Sequence, residues 1–161
     1  MEYSFIREFK ISFEEIPNRL NLPTEVTVLF NKAEQALENA YAPYSKFKVG
    51  SSLLLENGFY IIGNNQENAS FPNGICSERV ALFSAKANNP DLTIKKIAIT
   101  CSTDDFMINE PIAPCGMCRQ VLLEYEEEQG SPIEVWLFTK SKIFKFNQAK
   151  DLLPLYFNEG R

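Results

Sequence analysis

Three cysteines and one glutamate carry the chemistry open to this chain. They stand as Cys76-Ser77-Glu78 and Pro114-Cys115-Gly116-Met117-Cys118, in 161 residues that include no histidine. Three thiolates can hold a zinc ion and leave its fourth position for water. A glutamate two residues after the first thiolate can then move protons at that water. Histidine is the commonest metal ligand and general base, so its absence leaves Glu, Asp, Cys, Lys or a metal to do the work.

Taken alone, Cys115-x-x-Cys118 is open between half of a structural zinc site, a redox pair and a catalytic centre. A structural zinc needs a fourth ligand. Cys101 is the candidate thiol, yet it closes an apolar strand and reads as a small core residue. A thioredoxin-like pair would follow an early strand rather than lie near residue 115. Glu78 could merely offset a helix dipole, as acids in a first turn do. Its spacing of two from Cys76, across the small Ser77, favours a role at the metal. Three thiolates outweigh the charge of Zn2+ by about one unit, which would weaken the ion as a Lewis acid. A neighbouring cation offsets this, and Arg79 is the expected donor to a ligand sulfur. Arg119 is open between the same role and a solvated position.

The elements that must position these residues follow from periodicity. Val26, Leu29, Phe30, Ala33, Leu37, Ala40 and Tyr41 recur at helical spacing after Thr24, the expected N-cap. Pro43 sets the end of that helix near Ala42. Residues 48–56 and 59–64 read as a hairpin around Asn57-Gly58. Residues 64–75 are polar and turn-rich. Helices are expected at 76–88 and 115–128, with strands at 94–101, 133–138 and 143–146 and a loop at 102–114. Cys76 and Cys115 therefore begin helices, where free N–H groups and the positive dipole end stabilise thiolates. Helices alternating with strands indicate a layered α/β domain with a mostly buried sheet. Residues 1–23 read as an N-terminal extension, with a short strand at Phe9-Lys10-Ile11-Ser12-Phe13, and 24–161 as the catalytic domain.

Composition narrows the function classes. The hydrophobic fraction is 45%, the charged fraction 23% and the net charge −5. No basic stripe is visible, so nucleic acid is not the expected partner. No run approaches the roughly 18 apolar residues of a membrane span, and the segment MEYSFIREFK has no apolar signal core. A cytoplasmic location is expected. There, four cysteines point to metal or reactive thiols rather than disulfides.

Four stretches resemble the free-nucleoside cytidine deaminases. Cys76-Ser77-Glu78-Arg79 is similar to the family's C-A-E-R, and Pro114-Cys115-Gly116-Met117-Cys118-Arg119-Gln120 to its P-C-G-x-C-R-Q. Residues 41–50, YAPYSKFKVG, resemble A-Y-A-P-Y-S-x-F-x-V-G, and residues 65–72, NQENASFP, resemble N-x-E-N-A-S-Y-P. The order and spacing agree from about Thr24 to Phe157.

The resemblance implies one Zn2+ per subunit, held by Cys76, Cys115 and Cys118. It implies that zinc-bound hydroxide attacks C4 of the base, with Glu78 as proton shuttle. Asn65 and Glu67 would bind the ribose hydroxyls, Phe47 would pack near the pyrimidine, and backbone at Ser77 would help position water and base. Phe157 could reach the base in a neighbouring subunit. The implied fold is a three-layer α/β/α sandwich on a mixed five-stranded sheet, and the implied assembly is a homotetramer. The implied reaction turns cytidine and 2′-deoxycytidine into uridine and 2′-deoxyuridine with loss of ammonia, as in pyrimidine salvage. A blasticidin S-type antibiotic deaminase and a non-catalytic zinc or redox module are the alternatives. Ser77 departs from the usual alanine, and its hydroxyl could compete for the water. Lys48 replaces a frequent proline, with little expected consequence.

Overall fold

A computed structural model describes residues 4–158. Its single sheet has the order β1-β6-β5-β4-β2-β3, built from β1 (Glu14–Ile16), β2 (Lys48–Leu55), β3 (Tyr60–Asn64), β4 (Ile94–Ser102), β5 (Glu134–Phe138) and β6 (Ile143–Phe146). The β4–β5 pair is parallel and every other pair antiparallel. Three helices flank the sheet: α1 (Thr24–Glu38), α2 (Ser77–Asn88) and α3 (Gly116–Gln129).

Alternation along the central strands decides the layering. Leu53, Leu55, Ile97, Ile99, Val135 and Leu137 face one side, where Ala81, Leu82 and Ala85 of α2 and Leu122 of α3 cover them. Leu54, Ala98, Trp136 and Phe138 face the other, under Val26, Leu29, Phe30 and Ala33 of α1. Phe30 lies flat on Phe138, with ring centroids 4.0 Å apart. Strands buried on both faces explain why β4 and β5 read as apolar runs rather than alternating ones. The expected three-layer α/β/α sandwich forms, on six strands rather than five.

The added strand comes from the extension. β1 pairs with the edge strand β6, opposing Glu14 to Lys145 and Ile16 to Ile143. It lies C-terminal to the expected 9–13 segment, which is exposed. Pairing needs a facing partner, and β6 ends at Phe146. Phe13 instead packs tilted against Phe144 at 4.9 Å and stacks on Phe146 at 5.1 Å. Further along, Arg19 grips Glu34 of α1 through both carboxylate oxygens and lies 4.8 Å over the Phe138 ring.

Two boundaries of α1 also move. Pro23, not Thr24, holds the N-cap position, and no side chain caps the helix. The helix stops at Glu38 rather than near Ala42, because the Tyr41 backbone is committed elsewhere. Its N–H donates to the Asn65 carbonyl at 3.0 Å, and its carbonyl accepts from the Glu67 N–H at 2.8 Å.

Candidate active site

The starts of α2 and α3 converge. Cys76 and Cys115 hold the two N-cap positions with extended backbone, and Cys118 lies in the first turn of α3. Gly63 on β3 permits this approach. A Cβ there would fall 2.3 Å from the Ser77 carbonyl oxygen and 2.6 Å from the Ala81 nitrogen. Only a residue without a side chain lets the first turn of α2 rest on the strand.

The three sulfurs lie within 4.8 Å of one another. Cys76 and Cys115 are 3.8 Å apart, and Cys115 and Cys118 are 3.6 Å apart. Tetrahedral zinc with bonds of about 2.3 Å requires sulfur separations of about 3.8 Å. The donor set therefore fits zinc. Cys118 is buried, Cys115 exposed and Cys76 between them. The Arg79 guanidinium lies 3.7 Å from the Cys76 sulfur. The hydrogen bond from the Cys118 thiol, then the one from Arg79, draw Cys76 down to about 5 against the opposing effect of burial. The same shared hydrogen bond, together with burial, pushes Cys118 up. Cys101 lies outside the cluster, and burial pushes its thiol up to about 11.

Glu78 is 4% exposed. Burial pushes its carboxyl above the ordinary carboxylate range, and the Cys76 thiolate adds to the rise. The buried Ser77 hydroxyl donates to its Oε2 at 3.0 Å, so this hydroxyl is committed to the carboxylate rather than free to compete for water. Glu78, Cys76 and Cys115 open onto a cleft of about 350 Å³ that Asn65, Glu67 and Ile112 also line. This is the size of an ordinary small-molecule site.

Asn65 and Glu67 reach the cleft while bracing its wall. Asn65 Oδ1 accepts from the Val49 N–H at 2.8 Å, and Nδ2 donates to the Phe47 carbonyl at 2.9 Å. Glu67 Oε2 accepts from the Tyr44 and Ser45 N–H groups at 2.9 and 3.3 Å, and Oε1 accepts from the Ser45 hydroxyl. Phe47 is half-buried just outside the cleft lining, parallel to Phe106 at 6.0 Å. The Phe157 ring is exposed, and the Phe157 carbonyl accepts from Gln120 Nε2 at 2.8 Å.

Arg119 takes neither expected role. It meets no sulfur and is not simply solvated: Nε donates to the Pro114 carbonyl at 2.7 Å and Nη1 to the Leu152 carbonyl at 2.8 Å. Sequence reasoning also missed Gly63, Ser45 and Ile112. Glycine in a strand pattern was the available signal for Gly63. Ser45 stands inside the YAPYSKFKVG stretch, but its bond to Glu67 spans 22 residues and, like the place of Ile112 in the cleft wall, leaves no local trace.

A profile of the cytidine and deoxycytidylate deaminase zinc-binding region matches residues 24–129, which include the three cysteines and Glu78. The chain belongs to the cytidine deaminase family. It is 43% identical to the cytidine deaminase of Halalkalibacterium halodurans over 97 residues, 60% of this chain and 69% of that protein. It is 34% identical to that of Mycoplasma pneumoniae over 116 residues, 71% of this chain and 80% of that protein. The crystal structure of the cytidine deaminase from Burkholderia pseudomallei matches with a TM-score of 0.70 at 41% identity, covering 81% of this chain and 98% of that one. Cytidine deaminases are hydrolytic deaminases, so the chain is an enzyme of that class.

Proposed function

We propose that this member of the cytidine deaminase family hydrolyses cytidine and 2′-deoxycytidine to uridine and 2′-deoxyuridine, releasing ammonia, in pyrimidine salvage. One observation carries the reading. A buried carboxylate, Glu78, shares a cleft with Cys76 and Cys115, two of three sulfurs that cluster at zinc spacing.

Cys76, Cys115 and Cys118 would hold one Zn2+ per subunit. Bound there, zinc supplies a Lewis acid that lowers the pKa of water. Arg79 offsets the excess negative charge of the sulfurs. Glu78 accepts the proton from water, passes it to N3 of the base, and later helps the amine leave C4 as ammonia. Burial suits it to this exchange, since a raised pKa brings a carboxylate nearer to neutral pH. The Ser77 hydroxyl holds Oε2 in place.

The ribose assignment rests on unused hydrogen-bonding capacity. A carboxylate offers about four acceptor directions and an amide two donors. Three donors engage Glu67 and one acceptor engages the Asn65 amide nitrogen, so each group keeps room for one more partner. A sugar hydroxyl donates once and accepts, which matches one free acceptor beside one free donor. Phe47 would pack near the pyrimidine. The exposed Phe157 ring would serve a neighbouring subunit in a homotetramer. Residues 24–161 would form the catalytic domain and 1–23 an extension to it. No helix among the described residues is long and apolar enough to cross a membrane. A cytoplasmic enzyme acting on free nucleosides, without nucleic acid, accords with the charge of −5.

Ammonia release from cytidine, deoxycytidine, cytosine, CMP and blasticidin S, with zinc measured on the same sample, tests this reading. Turnover of both nucleosides by protein carrying one zinc per chain is expected. Zinc without turnover would favour a structural module, and turnover of blasticidin S alone would favour the antibiotic deaminase.

A further inference from the structure

Of the three sulfurs, Cys115 is the one without enclosure. Cys118 is buried within α3, and Arg79 holds Cys76. The place of Cys115 depends on the backbone that carries it. Arg119 brackets that backbone from both sides. Its own N–H donates to the Cys115 carbonyl at 3.0 Å, and its Nε donates to the Pro114 carbonyl at 2.7 Å.

The second arm of the same guanidinium reaches away from the cleft. Nη1 donates to the Leu152 carbonyl at 2.8 Å. Leu152 closes a short 3-10 turn, Ala149–Leu152. That turn is itself pinned to α3. The Ala149 and Lys150 N–H groups donate to the buried Glu126 carboxylate at 2.6 and 3.1 Å, and the Ile133 N–H donates to it at 2.8 Å. Arg119 and Glu126 are seven residues apart, two turns along one face of α3. A continuous set of hydrogen bonds thus runs from Glu126 through the C-terminal turn and Arg119 to the peptide preceding Cys115.

We propose that Arg119 is a positioning residue for the metal centre, tying the Pro114 carbonyl to the C-terminal turn and so holding Cys115 where the three sulfurs meet. The segment 149–152 then supports the metal site without supplying a ligand. Arginine suits the task because a planar guanidinium presents donors in a fixed fork to two separate carbonyls. Lysine keeps the charge but not the fork. Gln120, the next residue, provides an internal contrast. Its side chain donates to the Phe157 carbonyl instead.

The inference rests on the zinc reading above, and its test is read without turnover. Zinc-loaded protein is mixed with excess of a chromogenic chelator, and zinc release is timed for wild type, Arg119→Gln, Arg119→Lys and Gln120→Ala. Loss of an outer partner of a metal site typically weakens metal binding about 10- to 100-fold. Release from Arg119→Gln should quicken by that factor, Arg119→Lys should recover part of it, and Gln120→Ala should stay within about twofold of wild type. Ile143→Val, on the α1 face remote from the sulfurs, controls for general destabilisation and should also release at the wild-type rate. If Arg119→Gln does not fold, Arg119→Lys carries the test. Wild-type release from both Arg119 variants would overturn the proposal, as would equal acceleration in Gln120→Ala or Ile143→Val. A wild-type protein that binds no zinc would instead overturn the reading of the site.

Discussion

The Ser77 hydroxyl donates to the Glu78 carboxylate at 3.0 Å, both side chains buried in the first turn of α2. Glutamine at position 78 can still accept that hydrogen bond but cannot carry the proton. Glu78→Gln should therefore fold, retain zinc and lose about 100- to 10,000-fold in kcat. It also removes a carboxylate whose ionisation burial disfavours, so its Tm should equal or exceed that of wild type. Near wild-type turnover would refute the proton shuttle.

Asn65→Ala and Glu67→Ala should lower kcat/KM for cytidine about 10- to 100-fold, the scale of one or two hydrogen bonds to polar or charged groups. Losses on free cytosine should be smaller. Asn65 also braces the Phe47 and Val49 backbone, so equal losses on both substrates would reduce its role to that bracing.

Burial opposes ionisation of Glu67. The Ser45 hydroxyl, the Tyr44 and Ser45 N–H groups and Lys46 outweigh it and hold the carboxyl below the ordinary carboxylate range. A depressed folded pKa contributes stability that is complete above the unfolded pKa and lost as pH falls through the folded one. The stability gap between wild type and Glu67→Gln should hold at neutral pH and close at acid pH, below the ordinary carboxylate range. Urea unfolding across that range checks it, and a gap that widens on acidification would contradict the assignment.

Cys101 should be chemically silent. With its thiol raised to about 11, only about one molecule in a thousand is thiolate at pH 8. Zinc-loaded protein should show no reaction of Cys101 with a disulfide reagent before unfolding, and Cys101→Ala should keep its zinc. Loss of zinc in that variant would revive a closed four-thiolate site.

Gly63→Ala should be costly despite its single added carbon, because the new Cβ would meet backbone at 2.3 Å. Overpacking of this kind costs about 1–3 kcal/mol. Since the atoms struck belong to the first turn of α2, cytidine turnover should fall along with Tm. Unchanged activity with lowered Tm would mean that the sheet, not the helix, yields.

The residue types of the candidate site are legible in the sequence. Ligand types, the spacing of Cys76 from Glu78 and of Cys115 from Cys118, and the helix starts beneath them are local properties, fixed by neighbours a few residues away. The same holds for β2 to β6, whose residue types and turn signals lie within each segment. What the sequence left open depended on partners distant in the chain. Arg119 looked like a sulfur ligand's neighbour or a solvated side chain, yet the carbonyls it meets belong to Pro114 and Leu152, the latter 33 residues on. The extension strand formed at Glu14–Ile16 because β6 lies opposite there, 131 residues away at the Glu14–Lys145 pair. Hydrogen bonds between such residues exist only once the sheet and helices have packed. Tertiary structure therefore decided how the backbone at Cys115 is held and which residues wall the cleft, while the sequence by itself determined which donor types, at which local spacings, are brought to it.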